Sequence, residues 1–185
     1  MNCPVCKTVA LQESALEPDL LAQTCATCGG HWLTATAYED WLSTAGSGET
    51  AADTSTEPTE PVDTPQAKLC PSCKRILARQ KVGHGLTFGI DHCGACNGVW
   101  LDPGEWESLR FHGLHRLLHR IATAPWQREV WQEEHRKARQ ALYTERLGES
   151  DYAEIQKIRG WLSDHPHRAM LLAYLIADDP YHDEK

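Results

Sequence analysis

A short pattern decides the fold of this chain, and it occurs twice: CATCGGHWL at residues 25–33 and CGACNGVWL at residues 93–101. Each copy follows another cysteine pair set in C-P-x-C-K, at residues 3–7 and 70–74. Two C-x-x-C pairs separated by roughly 20 residues have the spacing by which four thiolates surround one tetrahedral zinc ion. The sequence therefore predicts two zinc ions per chain, with all of its cysteines as ligands. The first set is Cys3, Cys6, Cys25 and Cys28, and the second set is Cys70, Cys73, Cys93 and Cys96.

Two other uses of the cysteines are open at this stage. Four disulfides would suit a secreted protein, but the cysteines begin at residue 3 and no apolar leader precedes them. Iron is a closer rival of zinc, because four-thiolate sites also hold iron.

Metal-binding thiols fit a reducing compartment, and no apolar run is long enough to span a membrane. We therefore expect a cytoplasmic protein without membrane contact.

The residues around the second cysteine pair of each set predict its local structure. Gly29 and Asn97 follow the last cysteines, and these residue types adopt a left-handed backbone most easily. A tight turn around a metal-bound sulfur is therefore expected at both positions. Trp32 and Trp100 come shortly afterwards, and we expect each ring to pack over the metal-binding hairpin.

Both copies resemble the bacterial zinc ribbon named after that of transcription factor IIB, with the pattern C-P-x-C, a spacer and C-x-x-C-G-G-x-W-L-D-x-G-E-L. Residues 70–109 follow this pattern nearly throughout, with Asn97 for the first glycine and Trp106 for the final leucine. Residues 3–42 keep its cysteines, glycines and tryptophan but replace the acidic turn with Thr-Ala-Thr at 34–36. The resemblance implies structural zinc and no catalysis.

The sequence divides into four segments. We expect a first zinc ribbon at 1–42, a disordered acidic linker at 43–67, a second ribbon at 68–104 and a helical region at 105–185. The linker is rich in Thr, Ala, Glu and Pro and has too few apolar residues to offset the entropy of ordering. The predicted fold class is thus small α+β: two zinc ribbons built from β-hairpin knuckles, tethered but independent, followed by an all-α region.

Helices are expected from the second ribbon onward. Asp102 and Glu105 form a candidate capping box, and Leu114, Leu117, Leu118 and Ile121 form an apolar stripe. Further helices are expected at about 126–147, from about 150, and at 169–177. The last segment is apolar all round, which is typical of the core of a bundle or of a helix shared with a partner. His112, His115 and His119 have a spacing that could hold metal, although exposed polar residues are the simpler interpretation.

Charge and motifs leave three classes of function. The net charge of −8 disfavours general nucleic-acid binding, yet residues 68–104 carry five basic residues against two acidic ones. No nucleophile elbow, phosphate loop or metalloprotease motif is present, which disfavours an enzyme. We favour a protein-interaction module, with transcription as a candidate process, that binds a protein partner or a second copy through the C-terminal helices. Nucleic-acid binding through the basic second ribbon is the alternative, and an enzyme or redox sensor is the third class.

Overall fold

The computed structural model describes residues 1–44 and 60–181, which form two compact units, Met1–Trp131 and Gln132–Lys185. The strands are β1 (Gln12–Glu17), β2 (Leu20–Thr24), β3 (His31–Leu33), β4 (Ala78–Gly83), β5 (Leu86–His92) and β6 (Val99–Leu101). The helices are α1 (Ala35–Thr44), α2 (Glu105–Phe111), α3 (Leu118–Ile121), α4 (Ala124–Leu147), α5 (Glu149–Ser163) and α6 (Arg168–Ile176).

The six strands form one antiparallel sheet in the order β1-β2-β3-β6-β5-β4, with three strands from each ribbon. At its centre β3 pairs with β6, so that Trp32 lies opposite Trp100 and Leu33 lies opposite Val99. The expectation that the ribbons are independent and only tethered is therefore wrong. The expectation rested on the composition of the linker alone. In an isolated ribbon, however, β3 or β6 would be an edge strand with unpaired backbone groups, and the pairing of these two strands satisfies those groups.

Two glycines allow the ribbons to approach each other at this central pairing. A Cβ atom at Gly30 would lie 2.3 Å from Cζ2 of Trp100, and a Cβ atom at Gly98 would lie 2.3 Å from Cζ2 of Trp32. Each indole ring thus occupies the space left by a glycine of the other ribbon. Both rings are completely buried. The reciprocal arrangement relates the two ribbons by an approximate two-fold axis.

The two faces of the sheet carry different cores because side chains alternate along a strand. On one face Trp32 and Trp100 cluster with the buried cysteines. On the other face Leu33, Val99 and Leu101 belong to a larger core that also contains side chains of α1, α2, α3 and the start of α4. Residues 105–131 therefore complete the core of the first unit, which ends at Trp131 rather than at a ribbon boundary. The division of the chain at 42, 67 and 104 stays a prediction.

The start of α4 covers the edge strand β4. The indole Nε1 of Trp126 donates a hydrogen bond to the carbonyl oxygen of Val82 at 3.0 Å. The side-chain amide of Gln127 accepts a hydrogen bond from the backbone N–H of Lys81 at 3.1 Å and donates one to its carbonyl at 2.8 Å. This amide imitates a neighbouring strand, and so satisfies backbone groups that an open edge would leave to solvent.

The segment expected to be a disordered linker has two parts. Residues 45–59 lie outside the described residues. Closer to the second ribbon, the backbone N–H of Val62 donates to the carbonyl of Pro103 at 3.0 Å, and that of Thr64 donates to Oδ2 of Asp102 at 2.9 Å. The end of the segment is therefore docked on the second ribbon, and disorder up to residue 67 is wrong for this part. Composition does not reveal these hydrogen-bond acceptors, because they belong to the second ribbon.

The predicted helices agree closely with α4, α5 and α6, and differ elsewhere. Only Leu118–Ile121 of the expected leucine stripe is helical, because the chain turns at Gly113, whose φ is +68°. The tail of the first ribbon forms α1 despite its divergence, and Oγ1 of Thr34 accepts the N–H of Ala37 at 3.3 Å. No residue of α6 is buried, so its interpretation as the core of a bundle is wrong for the described chain.

The packing at the sheet centre predicts the effect of a single methyl group. Gly30→Ala or Gly98→Ala should lower the free energy of unfolding of the zinc-loaded protein by about 1–3 kcal/mol, because the added Cβ meets a buried ring. Thermal melting followed by circular dichroism measures this loss. Gly94→Ala is the matched control, since a Cβ at Gly94 meets nothing within 4 Å. Equal melting of the Gly30 and Gly94 variants would contradict the reciprocal packing.

Candidate metal centres

The structure brings together the two cysteine sets that the sequence predicts. In each set the four sulfur atoms lie within 4.8 Å of one another. The sulfur atoms of Cys3 and Cys28 are 3.6 Å apart and those of Cys6 and Cys25 are 3.8 Å apart in the first set; in the second, those of Cys70 and Cys96 are 3.6 Å apart and those of Cys73 and Cys93 are 3.4 Å apart. Sulfurs around a tetrahedral zinc with Zn–S bonds of about 2.3 Å stand about 3.8 Å apart, and a disulfide is far shorter. All eight cysteines are free thiols, so the disulfide alternative is not formed.

Four equivalent turns of the backbone build the two centres. The residue after the second cysteine of every pair has a positive φ: Lys7 at 65°, Gly29 at 74°, Lys74 at 62° and Asn97 at 54°. Its N–H donates to the carbonyl of the first cysteine of the pair, at 2.8 to 3.0 Å. The left-handed turns predicted at Gly29 and Asn97 are confirmed. The two lysines were missed because lysine has no preference for this conformation, although the repeated C-P-x-C-K motif was a signal.

Backbone N–H groups within these turns favour the thiolate form of one cysteine in each centre. Burial raises the pKa of Cys25, but N–H groups two and three residues later donate hydrogen bonds to its sulfur and lower the pKa to about 7. The same balance lowers the pKa of Cys93 to about 7. Burial prevails at Cys70, whose pKa rises to about 12. Because metal binding needs thiolates, the lowered pKa values of Cys25 and Cys93 prepare these two ligands for it at neutral pH.

The tryptophans predicted to pack over the metal hairpins are buried in one cluster with the cysteines, as expected. They also connect the centres to the rest of the molecule. Nε1 of Trp32 donates to Oγ of Ser72, inside the first knuckle of the other ribbon, at 3.1 Å. Nε1 of Trp100 donates to Oδ1 of Asp102 at 2.7 Å. The first of these contacts links the first ribbon to the cysteine knuckle of the second metal centre.

The segments that carry the two cysteine sets each have the strands, turns and cysteines of a zinc ribbon. A family model described as "Transcription factor zinc-finger", the TFIIB-type zinc ribbon, matches residues 2–44 and 69–110. The chain therefore carries two tandem copies of this ribbon, whose two clusters of four cysteines fit two zinc ions. No curated protein and no solved structure matches the chain. Among the described helices, none is both long and apolar enough to cross a membrane.

A buried ion-pair network supports the second ribbon, and sequence reasoning missed it. Nζ of Lys68 lies 2.6 Å from Oδ2 of Asp91 and 3.1 Å from Oδ2 of Asp102, and it also donates to the carbonyl of Thr64 at 2.8 Å. Burial raises the pKa of Asp102, but hydrogen bonds from Thr64 and Trp100 lower it below its usual value. Lys68 was counted as part of a basic surface, whereas its side chain is fully buried.

Glu105 completes this network in an unusual state. Its Oε2 accepts the backbone N–H of Asp102 at 2.8 Å, while Oε1 is buried without a hydrogen-bond partner in the described chain. Burial raises the pKa of Glu105 to about 9, so the group is protonated at neutral pH. The predicted capping box is thus half formed, because the Asp102 side chain binds Thr64 and Trp100 instead of the helix. Asp63, Asp102 and Glu105 are close enough to share a cation, but Lys68 already supplies the positive charge and we assign no metal there.

The three histidines of the 112–119 segment do not form a metal site among the described residues. His115 is buried, so the expectation of an exposed polar face is wrong at this position. Its ring lies 5.9 Å from those of Trp41 and Trp106, and burial lowers its pKa to about 4. The ring of His119 lies 4.9 Å from that of Tyr38. These histidines pack against α1, which the sequence did not place nearby.

The two sets of four cysteines predict the metal content of the protein. Purified protein should contain two zinc ions per chain by elemental analysis, and a red colour would indicate iron instead.

Cys25→Ser and Cys93→Ser should each lower the melting temperature of the Met1–Trp131 unit, because the ribbons share one sheet and zinc binding contributes to folding. Ala26→Ser, in an exposed position of the same knuckle, is the control. A Cys25→Ser protein that melts like wild type would show that the ribbons are not coupled.

The state of Glu105 predicts a pH dependence of stability. In the folded protein the carboxyl group of Glu105 keeps its proton up to about pH 9. In the unfolded chain the same group loses its proton above its ordinary pKa of 4.5. The contribution of this group to stability is therefore greatest below pH 4.5 and falls as the pH rises toward 9. Glu105→Gln should be more stable than wild type by about 1 kcal/mol or more near pH 8, and the gain should shrink toward pH 5. Glu107→Gln, exposed on the same helix, is the matched control.

Proposed function

We propose that this protein is a non-catalytic zinc protein in which the two fused ribbons form a rigid platform and the C-terminal helices bind another protein. One observation carries the proposal: α6 consists of apolar residues after Arg168, yet none of them is buried. Exposed apolar surface that is contiguous marks interaction sites in soluble proteins. The position of this helix outside the segments matched by the zinc-ribbon family supports a role specific to this chain.

The coordination of the metal supports the non-catalytic part of the proposal. Each centre supplies four cysteine sulfurs to one ion. Structural zinc sites have this closed, four-coordinate form, whereas catalytic sites keep a position for water or substrate. The four-thiolate donor sets also support a reducing, cytoplasmic setting. The description of the family supports a transcription-associated process, without naming a partner.

The arrangement of charge favours a protein over a nucleic acid as the partner. Of the five basic residues in 68–104, Lys68 is buried between two aspartates and Arg79 pairs with Asp63. Lys74, Arg75 and Lys81 are the other basic residues of that segment, and all three are exposed. A net charge of −8 opposes phosphate binding further. Nucleic-acid binding through the second ribbon therefore stays the second candidate.

Titration with salt separates these two functions. The zinc-loaded full chain should bind generic DNA and RNA too weakly to detect at roughly 0.15 M ionic strength, because its second ribbon offers few cations to displace counterions and its net charge is −8. Fluorescence anisotropy over a range of salt concentrations measures this. Binding with a steep salt slope that is lost in Lys74→Glu with Arg75→Glu, and kept in Arg128→Glu, would establish the alternative.

A further inference from the structure

Cys73 differs from the other cysteines of the two metal centres in its surroundings. The other seven belong to the buried cluster around Trp32 and Trp100 or pack against it, whereas Cys73 does not. Cys73 is exposed, and each of the other seven is buried or half-buried. A thiolate that solvent reaches is the one that a dissolved oxidant attacks first. The second metal centre is therefore open to oxidants at one ligand, and the first centre has no equally exposed ligand.

A difference between the two C-P-x-C-K knuckles accounts for this exposure. In the first knuckle Val5 and Cys6 are half-buried and pack together against the cluster. Ser72 stands at the position of Val5 in the second knuckle; it is exposed, and its hydroxyl accepts a hydrogen bond from Nε1 of Trp32. A serine side chain is smaller than that of valine and shields a neighbouring sulfur less. The two knuckles thus have the same backbone turn but a different cover over the second cysteine.

A second sulfur lies within reach of Cys73. Its Sγ is 3.4 Å from Sγ of Cys93, whereas the equivalent atoms of Cys6 and Cys25 are 3.8 Å apart. Cys93 is completely buried, so an oxidant in solution reaches Cys73 before it. An oxidised sulfur at Cys73 would therefore form beside a thiol that can condense with it.

We infer that Cys73 is the site at which peroxides oxidise this protein, with Cys93 as the thiol that resolves the product. The Cys73 thiolate attacks one oxygen of hydrogen peroxide, the O–O bond breaks, and a sulfenic acid and hydroxide form. The Cys93 thiolate then attacks the sulfur of Cys73, a disulfide forms, and the S–O bond breaks to release a second hydroxide. The two sulfurs have together given two electrons to the peroxide.

The disulfide would empty the second metal centre. Only Cys70 and Cys96 remain there as thiolates, too few for a closed four-coordinate zinc site. The knuckle that loses its ion contains Ser72, which binds Trp32 of the first ribbon, so the contact between the ribbons should loosen as well. This modification acts on the ribbons and does not depend on what the C-terminal helices bind.

Release of zinc from the full chain under hydrogen peroxide tests this modification. A chromogenic zinc indicator follows the release, and the reaction is stopped when one equivalent has left. Tryptic digestion without reductant should then give peptide 69–74 joined to peptide 82–110, which contain Cys73 and Cys93. Peptides 1–7 and 8–68, which carry the first set of cysteines, should remain unoxidised. Dithiothreitol with added zinc should restore two ions per chain, because a disulfide is reducible.

Exchange of the residues that cover the two knuckles tests the cause. Ser72→Val should slow the release of the first equivalent at least about threefold, because it shields the Cys73 sulfur. Val5→Ser should bring peptide 1–7 among the oxidised products. Ser150→Val makes the same change at an exposed position of α5 and should leave the rate unchanged. Because Ser72→Val also removes a hydrogen-bond acceptor of Trp32, general destabilisation would speed the release, which is the opposite result.

Three results would overturn the assignment of Cys73. The first is oxidation of peptide 1–7 or 8–68 before peptide 69–74. The second is a Ser72→Val protein that releases zinc as fast as wild type. The third is removal of the same ion by EDTA without peroxide at the same rate, since the centre would then lose its metal without oxidation. A disulfide formed within peptide 69–74 would instead show that Cys93 is not the resolving thiol.

Discussion

The structure depends on the contact of two indole rings with two glycines at the centre of the sheet. The ring of Trp100 fills the space over Gly30, and the ring of Trp32 fills the space over Gly98. A ribbon of about 40 residues buries too little surface to be stable without a metal or a partner. Because each ring belongs to one ribbon and its glycine to the other, neither ribbon completes this core alone. The duplication has thus produced one folding unit.

Zinc acts on this unit from the face that carries the rings. A structural zinc contributes roughly 10–16 kcal/mol of apparent free energy to the folding of its ligands. The buried cysteines of both centres belong to one cluster with Trp32 and Trp100, so the turns held by each ion also hold the rings in place. The opposite face of the sheet is then free to build the larger core with α1, α2 and α3. Metal binding and helix packing therefore stabilise the same sheet from opposite sides.

Local chemistry was predictable from the sequence, and long-range pairing was not. The cysteine spacing predicted which sulfurs meet, and the helix expected at about 126–147 agrees with α4 within two residues. The pairing of β3 with β6 joins strands of three residues that lie far apart in the chain, so their composition carries almost no signal. Lys68 shows a second limit of prediction from the sequence. A lysine is normally exposed, and only the fold reveals the two aspartates with which this buried lysine forms ion pairs.

The divergence of the first ribbon has a physical consequence in this arrangement. Thr34 and Ala37 stand where the second ribbon has Asp102 and Glu105, so the first copy has no equivalent of the buried acidic network. Its α1 instead carries Tyr38, whose hydroxyl donates to the carbonyl of His115 at 2.8 Å and accepts the N–H of Leu118 at 3.1 Å. These two hydrogen bonds fasten the segment between α2 and α3 to the first ribbon. Tyr38, Leu114 and Leu118 belong to one core, so the divergent α1 and the segment after α2 pack into the same side of the sheet.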